Sequence, residues 1–202
     1  MYAKLLEFGE DIALGILNGG TPVAVPGSGM HLLFGERPST QSINIRFGRR
    51  FETWFHEAVQ SGDNEFKMIK GGVQNVGNGI KKDIDLIFAD ETNKVIYYRE
   101  LKLNMDLDSE KLPATYEKVT LISNRLKKFY PEYMVNSAVL TWSTYYKKDI
   151  TKNQSKIKAC EANGVAVEDP SSFFKIISLK ISKDEYDSYF RRIGSIFNGV
   201  KQ

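Results

Sequence analysis

Between Asp83 and Lys102 the chain carries charges whose types and spacing suit phosphate chemistry. The stretches Asp83-Ile84-Asp85-Leu86-Ile87-Phe88 and Val95-Ile96-Tyr97-Tyr98-Arg99-Glu100-Leu101-Lys102 are rich in β-branched, aromatic and aliphatic residues. A polar segment, Ala89-Asp90-Glu91-Thr92-Asn93-Lys94, separates them, so the pair reads as a β-hairpin. Side chains alternate along a strand, which puts Glu100 and Lys102 on one face, and likewise Asp83 and Asp85. A turn centred between Thr92 and Asn93 sets Asp85 opposite Glu100 and Asp83 opposite Lys102, with facing Cβ atoms roughly 4.5–5.5 Å apart. Two neighbouring carboxylates plus a backbone carbonyl, here that of Leu101, make an all-oxygen site. Such a site suits Mg²⁺, which keeps several waters and binds substrate phosphates. A metal there activates water and offsets charge on a phosphorus under in-line attack. A lysine alongside orients or deprotonates that water, or stabilises the developing negative charge.

These strands need helices to cover them. Residues 46–60 place Phe47, Phe51, Trp54, Phe55, Ala58 and Val59 at helical spacing, and Ser61-Gly62-Asp63-Asn64 breaks the pattern. Phe66–Lys70 reads as a strand, and the glycines at 71, 72, 77 and 79 as a flexible or tightly turned loop. Residues 114–130 form a second amphipathic helix, with Val119, Ile122, Leu126 and Phe129 on one face and Lys118, Arg125, Lys127 and Lys128 assigned to a basic one. Pro113 suits its first turn and Pro131 its end. Ala138–Trp142 reads as a buried strand, 152–162 as a helix, Val165–Val167 as a short strand, and 174–181 as helix end or strand. A last helix starts at Ser182, with Glu185 completing a capping-box pattern. The order predicts an α/β domain, a mixed, mainly five-stranded sheet with helices on both sides.

Composition frames this reading. The 202 residues are 42% apolar and 26% charged, which is ordinary for a globular chain large enough to need no disulfides. One cysteine, Cys160, and two histidines, His31 and His56, exclude a disulfide framework and a cysteine-rich zinc site. No apolar run approaches the roughly 20 residues of a membrane span. The N-terminal stretch carries acids among its apolar residues, unlike a signal peptide. A soluble cytoplasmic protein with no membrane partner is expected. Net charge is only +3, but residues 1–101 hold 11 basic and 13 acidic side chains, against 17 and 12 in residues 102–202. The second half is therefore the one suited to phosphates.

The hairpin motif resembles that of the PD-(D/E)xK nuclease superfamily, which places an Asp on one strand and a (Glu/Asp)-x-Lys on the next. Asp85-Leu86-Ile87 resembles the acid with its apolar tail, and Glu100-Leu101-Lys102 the second half, 15 residues on. The proline that often precedes the Asp is absent. Asp83 also precedes an apolar residue, but Asp85 is preferred for its register and longer apolar tail. Glu52, in Gly48-Arg49-Arg50-Phe51-Glu52, resembles the glutamate many such nucleases carry on the first core helix, with Glu57 as the fallback. The likeness covers about residues 46–168, an αβββαβ core. It leaves 1–45 and 182–202 as additions for recognition or dimerisation within one nuclease domain, 1–202.

The resemblance implies a restriction-endonuclease-like fold, Mg²⁺ as cofactor, and hydrolysis of double-stranded DNA. The expected enzyme is a type II restriction endonuclease acting as a homodimer. Asp85 and Glu100, with the Leu101 carbonyl, would be the metal ligands, Lys102 would stand beside the attacking water, and Asp83 and Glu52 would be auxiliary acids. A junction resolvase or repair nuclease is the alternative among nucleases; a non-catalytic DNA-binding protein is the alternative of another class.

Candidate DNA contacts are Arg46, Arg49 and Arg50 at a helix start, Lys118 and Arg125 on the basic helix face, and Tyr145 and Lys147 in a loop of mixed aromatic and basic residues. For each, a solvated surface is the plainer account. A surface hairpin with cross-strand ion pairs would likewise explain charges on one face. It explains less well two charges flanking Leu101 at the end of an apolar strand. A second Glu-x-Lys, Glu65-Phe66-Lys67, lacks an acid on a preceding hydrophobic strand. Cys160 and His56 read as a small core residue and a helix-surface residue, and His31 as a loop residue.

Overall fold

A computed structural model describes residues 2–18, 40–62, 65–103, 105, 107, 109–142 and 150–199. The elements are α1 (Tyr2–Asn18), α2 (Thr40–Ser61), β1 (Phe66–Met68), β2 (Gly72–Asn75), β3 (Lys81–Ile84), β4 (Leu86–Asp90) and β5 (Val95–Lys102). They continue with α3 (Lys111–Phe129), β6 (Met134–Thr141), α4 (Ile150–Ala162), β7 (Ala166–Glu168), α5 (Pro170–Ile176) and α6 (Lys183–Gly199). The described chain divides into two compact units, one of residues 1–57 and 184–202, the other of residues 58–183.

The first unit is helical and aromatic. Phe47, Phe51, Trp54 and Phe55 of α2 are buried, as are Leu5, Ile12 and Ile16 of α1 and Tyr186, Tyr189 and Ile193 of α6. Phe51 and Trp54 stack at 5.2 Å between ring centroids, and Trp54 donates its indole N–H to the Leu5 carbonyl at 3.1 Å. Gly9 is needed where it stands, because a Cβ there would lie 1.3 Å from the Tyr189 hydroxyl oxygen. The sequence-based reading does not include α1.

The second unit is α/β, with a mixed five-stranded sheet in the order β1-β4-β5-β6-β7. β1, β4 and β5 pair antiparallel; β5, β6 and β7 pair parallel. Helices flank the sheet, as the sequence predicts. On one face, Ile87, Ala89, Ile96, Tyr98 and Val139 pack with Val119, Ile122 and Leu126 of α3 and with Cys160 of α4. On the other, Phe88 stacks on Tyr97 at 5.0 Å and meets Phe173 of α5 edge-on at 6.3 Å. Asp169 starts α5 by accepting the Ser172 backbone N–H at 2.7 Å, with Pro170 next to it, so this region is a capped helix and not a strand.

Two differences from the sequence-based expectation matter for the site. The glycine-rich stretch is a hairpin, with β2 and β3 forming their own two-stranded sheet. Gly77, Asn78 and Gly79, all at positive φ, make its turn. Also, 83–88 is not one strand. β3 ends at Ile84, β4 begins at Leu86, and Asp85 is the single residue between the two sheets. Gly71 permits the crossing, since a Cβ there would come within 2.7 Å of the Ile84 carbonyl oxygen.

Candidate active site

The turn fixes which side chains meet. Asp90 accepts the Asn93 backbone N–H at 2.8 Å and its side-chain amide at 2.7 Å, and Lys94 takes a left-handed φ of 53°. The turn closes on the pair Asp90↔Val95, and the register runs through Phe88↔Tyr97 to Leu86↔Arg99. This is the register read from the turn's symmetry. Beyond Leu86 the ladder stops. The Asp85 side chain then takes over, with its Oδ2 accepting the Leu101 backbone N–H at 2.8 Å. That bond pins the carboxylate beside the end of β5.

Glu100 is 2% exposed, and each of its oxygens is engaged. Lys102 donates to Oε1 at 2.6 Å; the Tyr98 hydroxyl donates to Oε2 at 2.9 Å. Lys118 of α3 reaches the same Oε2 at 2.5 Å and Asp85 Oδ1 at 3.3 Å. One ammonium therefore bridges the two acids. Trp142 donates its backbone N–H to the Lys102 carbonyl at 2.9 Å and continues the β5–β6 ladder past the acids.

The electrostatics are uneven. Burial, and then the Glu100 charge, pushes the Asp85 carboxyl up to about 6, against the pull of Lys118. For Glu100 burial acts upward too, but Lys102 and Lys118 together outweigh it and hold its carboxyl below the usual range. Lys118 is raised, because Glu100 and Asp85 overcome the effect of its burial. Burial, with Glu100 and Asp85, holds the Tyr98 phenol far above its ordinary value, so it remains a neutral donor.

Several sequence-based assignments move. Lys118, expected at DNA, lies instead at the acids. It follows Thr115 by three residues and precedes Ile122 by four, and both are buried. On a helix that spacing puts Lys118 at the edge of the core face, a signal the sequence already holds. Tyr98 is absent from the sequence-based set, although it shares a strand face with Glu100 and Lys102. Asp83 is exposed and pairs with Val73 in the small sheet, so it does not stand across from Lys102. Arg46, Arg49 and Arg50, expected at a helix start, lie well inside α2, which starts at Thr40. Arg49 and Arg50 are exposed. Arg125 lays its guanidinium over the Phe129 ring at 3.9 Å. Glu52 and His56 are half-buried and Glu57 exposed on α2, within the helical unit. Lys67 of the second Glu-x-Lys pairs with Glu91 at 2.7 Å in the open. Cys160 is buried, and burial pushes its thiol up, as suits a core residue. Tyr145, Lys147 and His31 lie outside the described residues.

The donor set bears on the metal. Among the described residues no three His, Cys, Asp or Glu side chains group to hold an ion. Two carboxylates, however, converge on one ammonium, and a place that takes a buried monocation between two acids has the charge and the oxygen donors for Mg²⁺. That ion needs only one or two protein carboxylates. The residues fit it. No described helix is long and apolar enough to cross a membrane. Comparison of the chain with protein-family models and with curated proteins finds no match.

Proposed function

We propose that this chain is a Mg²⁺-dependent endonuclease of the PD-(D/E)xK type, hydrolysing phosphodiester bonds of double-stranded DNA. The observation that carries this is the convergence of Asp85 Oδ1 and Glu100 Oε2 on a single cation, Lys118 Nζ, at 3.3 and 2.5 Å, with Lys102 on the other Glu100 oxygen. Further support is the element order of the main sheet: without the β2–β3 hairpin it runs helix, three strands, helix, strand, which is compatible with a restriction-endonuclease-like core.

Asp85 and Glu100, with the Leu101 carbonyl, would hold the ion. Bound there, Mg²⁺ supplies Lewis-acid polarisation of a phosphate oxygen and lowers the pKa of a water. The protein's own groups do the rest. The Leu101 N–H holds Asp85 in place. Tyr98 and Lys102 fix both oxygens of Glu100. The Lys102 ammonium, 27% exposed, has reach to solvent and serves to orient a water or to offset charge on phosphorus. At neutral pH Asp85, at about 6, is mostly ionised and ready to ligate.

The narrower reading is a cytoplasmic type II restriction enzyme, whose two-fold homodimer would cut both strands of a palindrome. Supercoiled plasmid incubated with Mg²⁺ tests both levels. The expected result is discrete linear fragments from the wild type and none from Lys102→Ala. A smear, or cutting only of branched DNA, would favour a repair nuclease or resolvase. No cleavage of any DNA by the wild type would overturn the enzyme reading, and duplex binding without cleavage would leave a non-catalytic DNA-binding protein.

A further inference from the structure

We propose that Lys118 is a built-in, displaceable counter-ion of this site, occupying the place between Asp85 and Glu100 that a divalent cation must take. The inference rests on the nuclease reading and adds to it a competition between the protein's own cation and the metal.

Lys118 is poorly placed for a surface role and well placed for this one. Its side chain is 16% exposed, on a helix whose neighbouring positions Thr115 and Val119 are buried. Its ammonium touches one oxygen of each acid, Glu100 Oε2 at 2.5 Å and Asp85 Oδ1 at 3.3 Å. Among the described residues, the groups facing this pair include Tyr98, Glu100 and Lys102 on β5 and Asp85 just before β4. Two carboxylates facing each other without a cation between them repel strongly in a dry site, so an empty site would be costly. Lys118 offsets part of that repulsion by touching both acids. The same contact puts a positive charge where a metal has to go. Because Lys118 comes from α3 and is tethered by a flexible four-carbon stem, it can withdraw without unmaking the hairpin. The longer of its two contacts, to Asp85, is the one expected to open first. Lys102 differs: it holds only Glu100 Oε1, outside the bridge, and a metal on Oε2 does not require it to leave.

The test is Mn²⁺ binding to the metal-free protein, followed by titration calorimetry at pH 8. Mn²⁺ shares the preference of Mg²⁺ for oxygen ligands. Lys118→Gln keeps a donor near the acids but loses the charge; Lys118→Met keeps the stem alone. Both are expected to bind Mn²⁺ at least about tenfold more tightly than the wild type, since the competing charge is gone. Lys118→Arg, which keeps the charge, is expected to bind no more tightly than the wild type. Adding Asp85→Asn to Lys118→Gln should cancel the gain. Circular dichroism verifies that each variant is folded. Equal or weaker binding by folded Lys118→Gln, with the wild type still cutting plasmid, overturns this inference alone. If neither the wild type nor either neutral variant binds Mn²⁺, the metal-site reading falls, and this inference with it.

Discussion

Arg99 and Glu100 are neighbours on β5 and point to opposite faces of one sheet. Both are buried charges, and they are treated very differently. Arg99 uses all five of its N–H groups. Nε and Nη2 form a fork on Glu168 at 2.6 and 2.9 Å, Nη1 donates to the Tyr98 and Asn136 carbonyls at 2.9 and 2.8 Å, and Nη2 reaches Asn136 Oδ1 at 3.0 Å. Its guanidinium also lies 5.5 Å from the Tyr97 ring centroid. None of the Arg99 donors is left over for a ligand. On the Glu100 face two acids, two lysines and a phenol share bonds unequally, and the Asp85 carboxyl is pushed up to about 6 by burial and by Glu100. The saturated cluster ties β5 to β6 and β7. The other cluster shares one ammonium between two acids and has a lysine partly open to water. A buried charge is therefore no sign of a site by itself; incomplete compensation is the better sign.

That contrast can be broken from either face. The largest effect is expected from Arg99→Ala, which strands Glu168 and the Asn136 acceptors. Breaking a buried pair on one side costs about 3–5 kcal/mol. Urea unfolding should register a loss near the lower end, because the Glu168 side chain keeps 17% exposure, and Mg²⁺ should not restore it. Asp85→Asn should act in the opposite direction. The folded-state carboxyl is raised from an ordinary 3.8 to about 6, so ionising it opposes folding. That penalty is absent below about pH 4 and complete above about pH 6. The amide oxygen of the substituted side chain would still accept the Leu101 N–H. The variant is thus expected to be more stable than the wild type at pH 8, by at most about 3 kcal/mol, and equal to it at pH 3, while losing cleavage. Thermal melts at both pH values decide this. Equal melts at pH 8 would show that Lys118 compensates Asp85 as fully as Glu168 compensates Arg99.

Smaller effects should follow from peripheral partners. Tyr98→Phe removes one donor from a buried carboxylate, a loss of about 1.5 kcal/mol in urea unfolding. It should also weaken Mn²⁺ binding only slightly, since both acids remain. Asp83→Ala should leave plasmid cleavage near the wild-type rate, whereas Asp85→Ala abolishes it; the reverse ranking would contradict the placement of Asp83 in the small sheet. The smallest effect is that of Lys67→Ala. Its exposed pair with Glu91 lies in water, and no change in melting temperature is expected.

The parts of this site legible in the sequence are those set by local periodicity. The alternation of Val95–Lys102 and the symmetric turn around Thr92-Asn93 are enough to place Asp85 on the Glu100 side. The same alternation misleads one step further on. Asp83-Ile84-Asp85 continues a period of two, and nothing local marks the change of sheet at Asp85, which depends on Gly71 passing close to Ile84. Glycines at 71, 72, 77 and 79 argue for loop, yet only the last two belong to the turn at the hairpin's tip. Charge alone assigns Lys118 to a polar face, although its spacing from Thr115 and Ile122 assigns it to the core edge. Arg99 escapes notice because its partner, Glu168, is 69 residues away and meets it only through the β5–β6–β7 pairing.

The four residues Glu91–Lys94 between β4 and β5 carry a consequence for how this chain can change in length. Facing pairs across the hairpin are counted from that turn, and neighbours on a strand look to opposite sides. Inserting or deleting one residue there would turn β5 over relative to β4: Arg99 would look toward Asp85, and Glu100 toward the side of Glu168. Adding or removing two would keep the sides and shift the partners. Length variation at this tip is thus filtered by parity: odd changes exchange the closed cluster for the open one, and only even changes leave each on its own face.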